Sequence, residues 1–417
     1  MKLYRNIAHL FLWQGSNYLI PLLVTPYLAR VLGLHSYGVF GFSLAVAAYG
    51  VLITDWGFNL SAAQKVARAA NEPARLRAVF WSTMVAKVML ASLALVLFAL
   101  ATLMVPMLRA LWPALLASSL IVVSTALSAN FFLQGLQYMG SFAIASIIGR
   151  ISIIPLMLVL VHGPQDVVKA VAIQNGTQLI SALVSLVICA RMVSLRPAAW
   201  SIAAALQEVR DGWHQFVSSF SVSLYTQANA IFVGFNAGQV QAGIFTGSQR
   251  ISQAFYQLMT PVNMALYPQI NRLTHSDPST AVALMFKALR SQVLFGGALG
   301  LVLFALAPYI VPVFLGEAFR PAISIVRVLA LLPVLSAVTT CIGGNMLLPL
   351  GLKGPFTAAL LGAGVINLTL LLLLTRPYGA MGGAVSSVLT EGYLLIAMSW
   401  SLYARRTVLE QMRSGRA

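Results

Sequence analysis

Charged residues stand inside apolar stretches that are long enough to cross a lipid bilayer. They are Arg30, Asp55, Lys87, Arg150, Arg250, Arg327 and Glu391. A charged side chain near the middle of a membrane helix costs about 3 kcal/mol, so such residues usually serve a function. Five of the seven are cationic. They therefore predict a hydrated, positively charged interior and an anionic molecule that passes through it.

Polar residues around Arg250 recur at steps of three or four: Thr246, Arg250, Gln253, Gln257 and Thr260. This spacing places them on one side of a helix. The favoured interpretation is the lining of a polar cavity, and the alternative is hydrogen bonding between helices. Arg30, Asp55 and Arg327 lie nearer to the ends of apolar stretches, where snorkelling to the membrane surface is an equally good explanation.

Glu391 is the only carboxylate deep within an apolar stretch. It either pairs with a basic residue or titrates during coupling to an ion such as H⁺ or Na⁺, and the sequence leaves both open. The five histidines and two cysteines lack the spacing of metal ligands. We therefore predict no metal site and no cofactor.

Composition defines the class of protein. Of the 417 residues 59% are hydrophobic and only 8% are charged, and the mean hydropathy is +0.86. Soluble domains carry about 25% charged residues. Recurring apolar stretches of about 20 residues predict an all-α integral membrane protein. We place twelve spans near residues 10–32, 37–60, 79–105, 112–136, 142–161, 166–190, 214–234, 240–270, 281–312, 322–349, 355–375 and 380–403.

Basic residues concentrate in alternate loops, which predicts that both termini are cytoplasmic. The same pattern explains the net charge of +17 without a nucleic-acid partner. A long extramembrane stretch near the midpoint predicts two six-helix lobes around a central cavity. The lobes comprise residues 1–192 and 214–417, the second with a basic tail, and are joined by a cytoplasmic linker, 193–213. For this linker the sequence leaves two interpretations open, an amphipathic helix on the membrane surface and a plain loop.

Three segments near the N-terminus carry a resemblance to a known family: WQGSNYLIPLLVTPYLARVLG at 13–33, HSYGVFGFSLAVAAYG at 35–50 and DWGFNLSAAQKVA at 55–67. They resemble the N-terminal hallmark of the O-antigen translocases. These are polysaccharide-biosynthesis flippases of the multidrug/oligosaccharidyl-lipid/polysaccharide (MOP) exporter superfamily. The match covers about the first 70 residues. Beyond them the resemblance rests on length, twelve spans and charge placement.

The resemblance implies a flippase of the bacterial inner membrane. It would move an undecaprenyl-diphosphate-linked oligosaccharide from the cytoplasmic to the periplasmic leaflet by alternating access, without enzymatic activity. Its partners would be this lipid-linked substrate, the bilayer and other polysaccharide assembly proteins. Arg30 and Asp55 match charged positions of the family motif, whereas the roles of Lys87, Arg150, Arg250 and Arg327 rest on the pattern of this chain alone.

Other classes of protein fit the sequence less well. A drug or small-anion exporter of the same superfamily is the main alternative, although an exporter of cationic drugs would favour acidic residues in its cavity. A polymerase or lipid-dependent glycosyltransferase would need large periplasmic loops with acid-base residues, and the predicted outer loops are short. A membrane scaffold would leave the buried cations unexplained.

Overall fold

The structure is a computed structural model that describes residues 2–192, 201–405 and 407. Residues 193–200 of the predicted linker and the basic tail from residue 408 lie outside the described residues. All regular elements within the described part are helical, which confirms the predicted all-α membrane fold.

Seventeen α-helices follow one another along the described chain. They are α1 (Lys2–Asp55), α2 (Phe58–Arg68), α3 (Pro73–Met104), α4 (Pro106–Ala110), α5 (Trp112–Ser118), α6 (Leu120–Leu127), α7 (Asn130–Gly135), α8 (Met139–Ile151), α9 (Ile153–Leu160), α10 (Val167–Met192), α11 (Ile202–Thr226), α12 (Ala228–Tyr256), α13 (Thr260–Ser276), α14 (Pro278–Leu315), α15 (Ala322–Leu329), α16 (Leu332–Thr340) and α17 (Lys353–Tyr403). Short 3₁₀ helices form at Pro164–Asp166, Gln257–Met259 and Glu317–Phe319, and a π-helix at Cys341–Leu347.

Eight helical stretches of the described chain are long and apolar enough to cross a membrane. The predicted spans at 214–234 and 240–270 fall on α11 to α13, which are not among the eight. Glutamine, asparagine and serine residues lower the hydropathy of these helices. Two of the eight stretches contain an internal break, at Gly33 and at Gly379. The number of twelve spans stays a prediction.

The chain divides into two compact units, Met1–Phe220 and Ser221–Ala417. The division falls inside α11, which continues without a break from Ile202 to Thr226. The predicted end of the linker at residue 213 lies within the same helix. The lobe boundaries drawn from the sequence stay a prediction.

The two units share a sequence pattern that inspection of the sequence had missed. In each unit a glycine interrupts a long helix with almost the same backbone angles: φ 68°, ψ 178° at Gly33 and φ 83°, ψ 174° at Gly238. The residues after each glycine also correspond at one constant spacing, with Gly38, Val39, Phe40 and Ser43 matching Gly243, Ile244, Phe245 and Ser248. This repeat supports an origin of the two units by duplication.

The same spacing relates the helices α3 and α14. Both begin with a proline at the first helical position, Pro73 and Pro278, where the missing N–H group costs nothing. The same spacing between the units also relates Lys87 to Gln292, two polar residues buried in the middle of these helices. The units therefore place a polar side chain at the same depth of their third long helix, but only the first unit makes it a cation.

Each unit has its own hydrophobic core. In the first unit, Phe58, Phe80, Phe131 and Phe132 pack together, and the rings of Phe80 and Phe132 meet edge to face with centroids 5.2 Å apart. In the second unit, methionine and leucine side chains from α14, the π-helix and α17 form the core. These cores hold the helices that carry the polar residues described below.

Replacement of Gly33 by alanine should destabilise the protein by about 1–3 kcal/mol, because its backbone angles belong to a region that only glycine adopts readily. An added Cβ atom would meet no atom within 4 Å, so the effect is one of backbone conformation alone. Thermal unfolding in detergent measures it. Gly297→Ala is the matched control, since Gly297 is helical and equally open. A loss no larger than that of the control would contradict the prediction.

Candidate functional site

Lys87 is a fully buried cation in the first unit, with only 2% of its surface exposed. Its ammonium group donates a hydrogen bond to the backbone carbonyl of Ser128 at 2.6 Å and lies 5.7 Å from the centroid of the Phe131 ring. The carbonyl is available because α6 ends at Leu127 and the chain is not helical again until Asn130. Lys87 therefore stabilises a break in a membrane helix as well as bringing charge into the unit.

Asp55 lies at the end of α1, and the structure brings it close to Lys87. The two groups attract each other electrostatically without forming an ion pair within 4.0 Å among the described residues. The carboxylate accepts a hydrogen bond from the Asn59 side chain at 2.7 Å. Trp56 and Gly57, with φ of 46° and 84°, interrupt the helix directly after Asp55. Asp55 and Lys87 form one electrostatic group.

Arg150, in the last turn of α8, is half-buried. Its Nε atom is buried and has no hydrogen-bond partner in the described part of the chain. Gly149 allows α8 to approach α10 closely, because a Cβ atom there would lie 2.5 Å from the carbonyl oxygen of Thr177. A guanidinium nitrogen without a hydrogen-bond partner is a strong donor, and its strongest hydrogen bonds are made to anions.

Arg250, Gln253 and Gln257 are half-buried, and their side chains make no hydrogen bond or ion pair among the described residues. The predicted single helix over 240–270 is wrong at one point, because α12 ends at Tyr256 and a 3₁₀ turn over Gln257–Met259 leads into α13. Arg250 and Gln253 therefore share one helix, while Gln257 begins the turn. Interrupted helices of this kind often carry substrate sites in transporters.

Arg30 and Arg327 are exposed, in contrast to the other basic candidates. The guanidinium group of Arg327 lies 5.3 Å from the centroid of the Phe304 ring, a cation–π contact. Exposure of both side chains agrees with the snorkelling interpretation as well as with a role at the entrance of a cavity. Their assignment to a substrate site stays a prediction.

Glu391 is half-buried in the second unit and accepts hydrogen bonds from two hydroxyl groups of α16. Ser336 donates at 3.1 Å and Thr339 at 3.0 Å. Within the described residues no basic side chain lies within 4.0 Å of this carboxylate. Its partners are neutral, so the pairing with a basic residue that the sequence left open is not formed in this conformation.

A network of amides and hydroxyls joins three helical segments of the second unit. Asn229 donates to Ser387 at 2.8 Å and accepts from Asn367 at 3.0 Å, and Thr390 donates to Asn367 at 3.1 Å. Asn367 and Thr390 are isolated polar residues within apolar sequence. No periodic signal marks them, because their partners come from other helices.

Lys65 of α2 joins two acidic residues of α11. Its ammonium group lies 2.7 Å from Glu208 and 2.6 Å from Asp211. Glu208 is buried and also accepts a hydrogen bond from Ser82 at 3.2 Å. The hydrogen bond from Lys65 holds the pKa of the Asp211 carboxyl below its usual value.

Aromatic contacts reinforce the same junction. The Trp56 indole donates to the carbonyl oxygen of Val209 at 2.8 Å and stacks on Phe216, with centroids 3.8 Å apart. Gly212 allows this approach, since a Cβ atom there would lie 3.0 Å from the indole ring. The N-terminal half of α11 is thus fixed to the first unit by its charged and aromatic residues. It does not form a free connection.

The long apolar helices, with charged and amide groups buried among them, define the class of multi-pass membrane transport proteins. Residues 3–274, more than half of the chain, match the family described as "Polysaccharide biosynthesis protein", and the chain belongs to this family. The family predicted from the N-terminal segments is confirmed.

Two relatives are described as "Putative O-antigen transporter". The one from Escherichia coli strain K12 is 30% identical over 398 residues, which cover 94% of each chain. The one from Shigella dysenteriae is 26% identical over 94% of this chain and 98% of the relative. Both descriptions name transporters, in agreement with the prediction that the chain is not an enzyme.

Solved structures with the same fold belong to membrane transporters. An inward-facing multidrug resistance MATE family transporter of the MOP superfamily aligns with a TM-score of 0.76 and 15% identity, over 99% of this chain and 100% of that chain. The lipid II flippase MurJ, in an inward closed conformation, aligns with a TM-score of 0.75 and 12% identity, over 99% and 90%. The predicted MOP exporter fold is confirmed.

Replacement of Lys65 by alanine should lower the free energy of unfolding by about 2 kcal/mol, because the buried Glu208 loses its cation. This value lies between those of exposed and fully buried ion pairs. Unfolding in detergent measures it. Arg68→Ala is the matched control, since Arg68 is an exposed cation of the same helix.

The difference in free energy of unfolding between the wild type and Lys65→Ala should also depend on pH. Because the pKa of Asp211 is lowered in the folded protein, its contribution to stability is complete above the unfolded value near 3.8 and is lost as the pH falls through the lower folded value. Equal stability of the two proteins at neutral pH would show that the ion pairs contribute nothing.

Proposed function

We propose that this protein is a flippase that moves undecaprenyl-diphosphate-linked O-antigen, or another polysaccharide repeat unit, from the cytoplasmic to the periplasmic leaflet. The observation that carries this proposal is the family membership together with the relative from E. coli, which aligns over 94% of both chains. The fold is shared with a lipid II flippase, so a lipid-linked cargo is compatible with it.

The chemistry of the substrate suits the basic residues of both units. A diphosphate is an anion, and arginine binds phosphate oxygens through paired hydrogen bonds. Arg150 and Arg250 have donors without partners in the described part of the chain and are the proposed diphosphate contacts. Lys87 already donates to Ser128, so its proposed role, together with Asp55, is to set the local potential.

In the proposed mechanism the glycan headgroup enters the polar interior while the polyprenyl tail remains in lipid, and the protein alternates between inward-open and outward-open states. No covalent bond is made or broken. Gln253 and Gln257 would bind sugar hydroxyls, and the exposed Arg30 and Arg327 would attract the headgroup at the ends of the spans. The proposed location is the bacterial inner membrane with both termini cytoplasmic, beside other polysaccharide assembly proteins.

Replacement of Arg150 or Arg250 by alanine should reduce translocation at least tenfold, because the diphosphate loses a charged donor in a site of low dielectric constant. The assay follows labelled undecaprenyl-diphosphate oligosaccharide across proteoliposomes that contain purified protein. Arg290→Ala, which removes an exposed arginine of α14, is the matched control and should retain wild-type activity.

The translocation measured for the wild type and the variants distinguishes the proposed flippase from the alternatives. Equal translocation by all variants would keep the flippase but remove these arginines from its mechanism. No translocation by folded wild-type protein, with the cognate glycan supplied, would contradict the proposal and favour export of a drug or small anion.

Glu391 is the carboxyl group that we assign to coupling with H⁺ or Na⁺. Its two hydrogen bonds come from neutral hydroxyl groups, and no cation within 4.0 Å among the described residues holds it in the charged form. Without a fixed counter-charge beside it, this carboxyl group can bind a cation such as H⁺ or Na⁺ and release it again. The hydroxyl groups of Ser336 and Thr339 can follow this change because each can also accept a hydrogen bond.

Glu391→Gln should abolish the response of translocation to an imposed H⁺ or Na⁺ gradient, while slow translocation without a gradient persists, since the amide keeps the shape but neither titrates nor carries charge. Flux measured in proteoliposomes with each gradient in turn tests this. Glu317→Gln, at an exposed carboxylate, is the control. An undiminished response in Glu391→Gln would exclude this residue from coupling.

A further inference from the structure

Three amide side chains meet at one point in the second unit, and each comes from a different element. Gln292 of α14 donates from Nε2 to Oδ1 of Asn263 at 2.6 Å. Asn345 of the π-helix donates from Nδ2 to the same oxygen at 3.0 Å. Asn263 itself lies in the first turn of α13, directly after the interruption that follows Gln257.

The exposure of the three residues differs. Gln292 is completely buried and Asn345 is 2% exposed, whereas Asn263 is half-buried. With its Oδ1 atom occupied by two donors, Asn263 retains the two N–H bonds of Nδ2. An amide left open to hydrocarbon would be costly, so the accessible part of Asn263 must face water or a polar ligand.

The contacts among Gln292, Asn345 and Asn263 include an unfavourable feature. The Oε1 atom of Gln292 is buried and has no hydrogen-bond partner within the described chain. A buried acceptor without a donor costs about 1–3 kcal/mol. Asn345 lies in a π-helix, an element that is rare and frequent at functional sites. Both features are accounted for if the two residues serve to orient the Asn263 amide.

The repeat between the units supports a specific role. Asn263 corresponds by position to Phe58, a fully buried core residue of the first unit. Gln292 corresponds to Lys87, whose donor satisfies a backbone carbonyl rather than another side chain. The amide cluster is therefore a property of the second unit alone, and packing common to both units does not require it.

We propose that Asn263 contacts the glycan of the transported lipid, and that Gln292 and Asn345 are positioning residues that orient its amide. The ligand chemistry is that of neutral sugar oxygens, either hydroxyl groups or the carbonyl of an acetamido group, which accept from the N–H donors of Asn263. A neutral amide is a weaker match to the diphosphate, for which arginine is the better partner. This inference rests on the proposed function.

Asn263→Asp is the sharpest test, because the carboxylate still accepts from Gln292 and Asn345 but no longer presents the outward N–H donors. Binding to purified protein is measured with two probes, undecaprenyl-diphosphate oligosaccharide and undecaprenyl diphosphate without sugar. We expect about tenfold weaker binding of the first probe and unchanged binding of the second. Asn71→Asp, which adds the same charge at an exposed position, should change neither.

Gln292→Leu tests the positioning role. Loss of one donor to Asn263 should weaken binding of the glycan probe and leave the sugar-free probe unaffected, a selectivity that general destabilisation would not produce. If Asn263→Asp fails to fold, Asn263→Ser takes its place, since its hydroxyl still offers an acceptor but is too short to reach the ligand.

Each result decides between distinct conclusions. Wild-type binding of both probes with no selective loss in Asn263→Asp would overturn the glycan contact while leaving the proposed function intact. Equal weakening of both probes would also overturn it, because the shared diphosphate or the fold would then be affected. Failure of wild-type protein to bind or translocate either probe would instead contradict the proposed function itself.

Discussion

Polar groups at membrane depth must find partners within the protein or face water or a polar ligand, and this constraint governs the whole structure. The Lys87 ammonium meets the carbonyl of Ser128 where α6 is interrupted. The Glu391 carboxylate meets two hydroxyl groups of α16. Each such contact ties together helices that hydrophobic packing alone would not hold in one orientation, because lipid chains are as apolar as leucine side chains.

The repeat shows how one architecture came to carry two kinds of polar interior. Both units place a positive-φ glycine after their first long helix and a buried polar residue in their third. In the first unit that residue is Lys87, attracted by Asp55, whereas in the second it is Gln292, joined to other amides. The backbone angles at the two glycines are nearly the same, whereas the charge of the buried polar residue differs. At this position the first unit buries a cation and the second a neutral amide.

The helix α11 covers part of the predicted linker and continues beyond it. Its alternation of apolar and charged residues indicated an amphipathic helix in a linker. In the structure the acidic residues Glu208 and Asp211 face Lys65, while Leu206 and Trp213 are exposed. The charged face is the packed face, because Lys65 offers it a partner. Exposed apolar residues on such a helix are suited to the membrane interface.

The sequence by itself determined the class of protein, since hydropathy over 20-residue stretches reports directly on the cost of crossing a bilayer. It also determined the family, because the motif between residues 13 and 67 is contiguous. Asp55 and Lys87 were both identified as unusual, but only the tertiary structure brought them together. The partnerships of Asn263 with Gln292 and Asn345, and of Lys65 with Glu208, join residues far apart in the chain. No local pattern encodes such contacts, because the packing of separate helices decides which polar side chains meet.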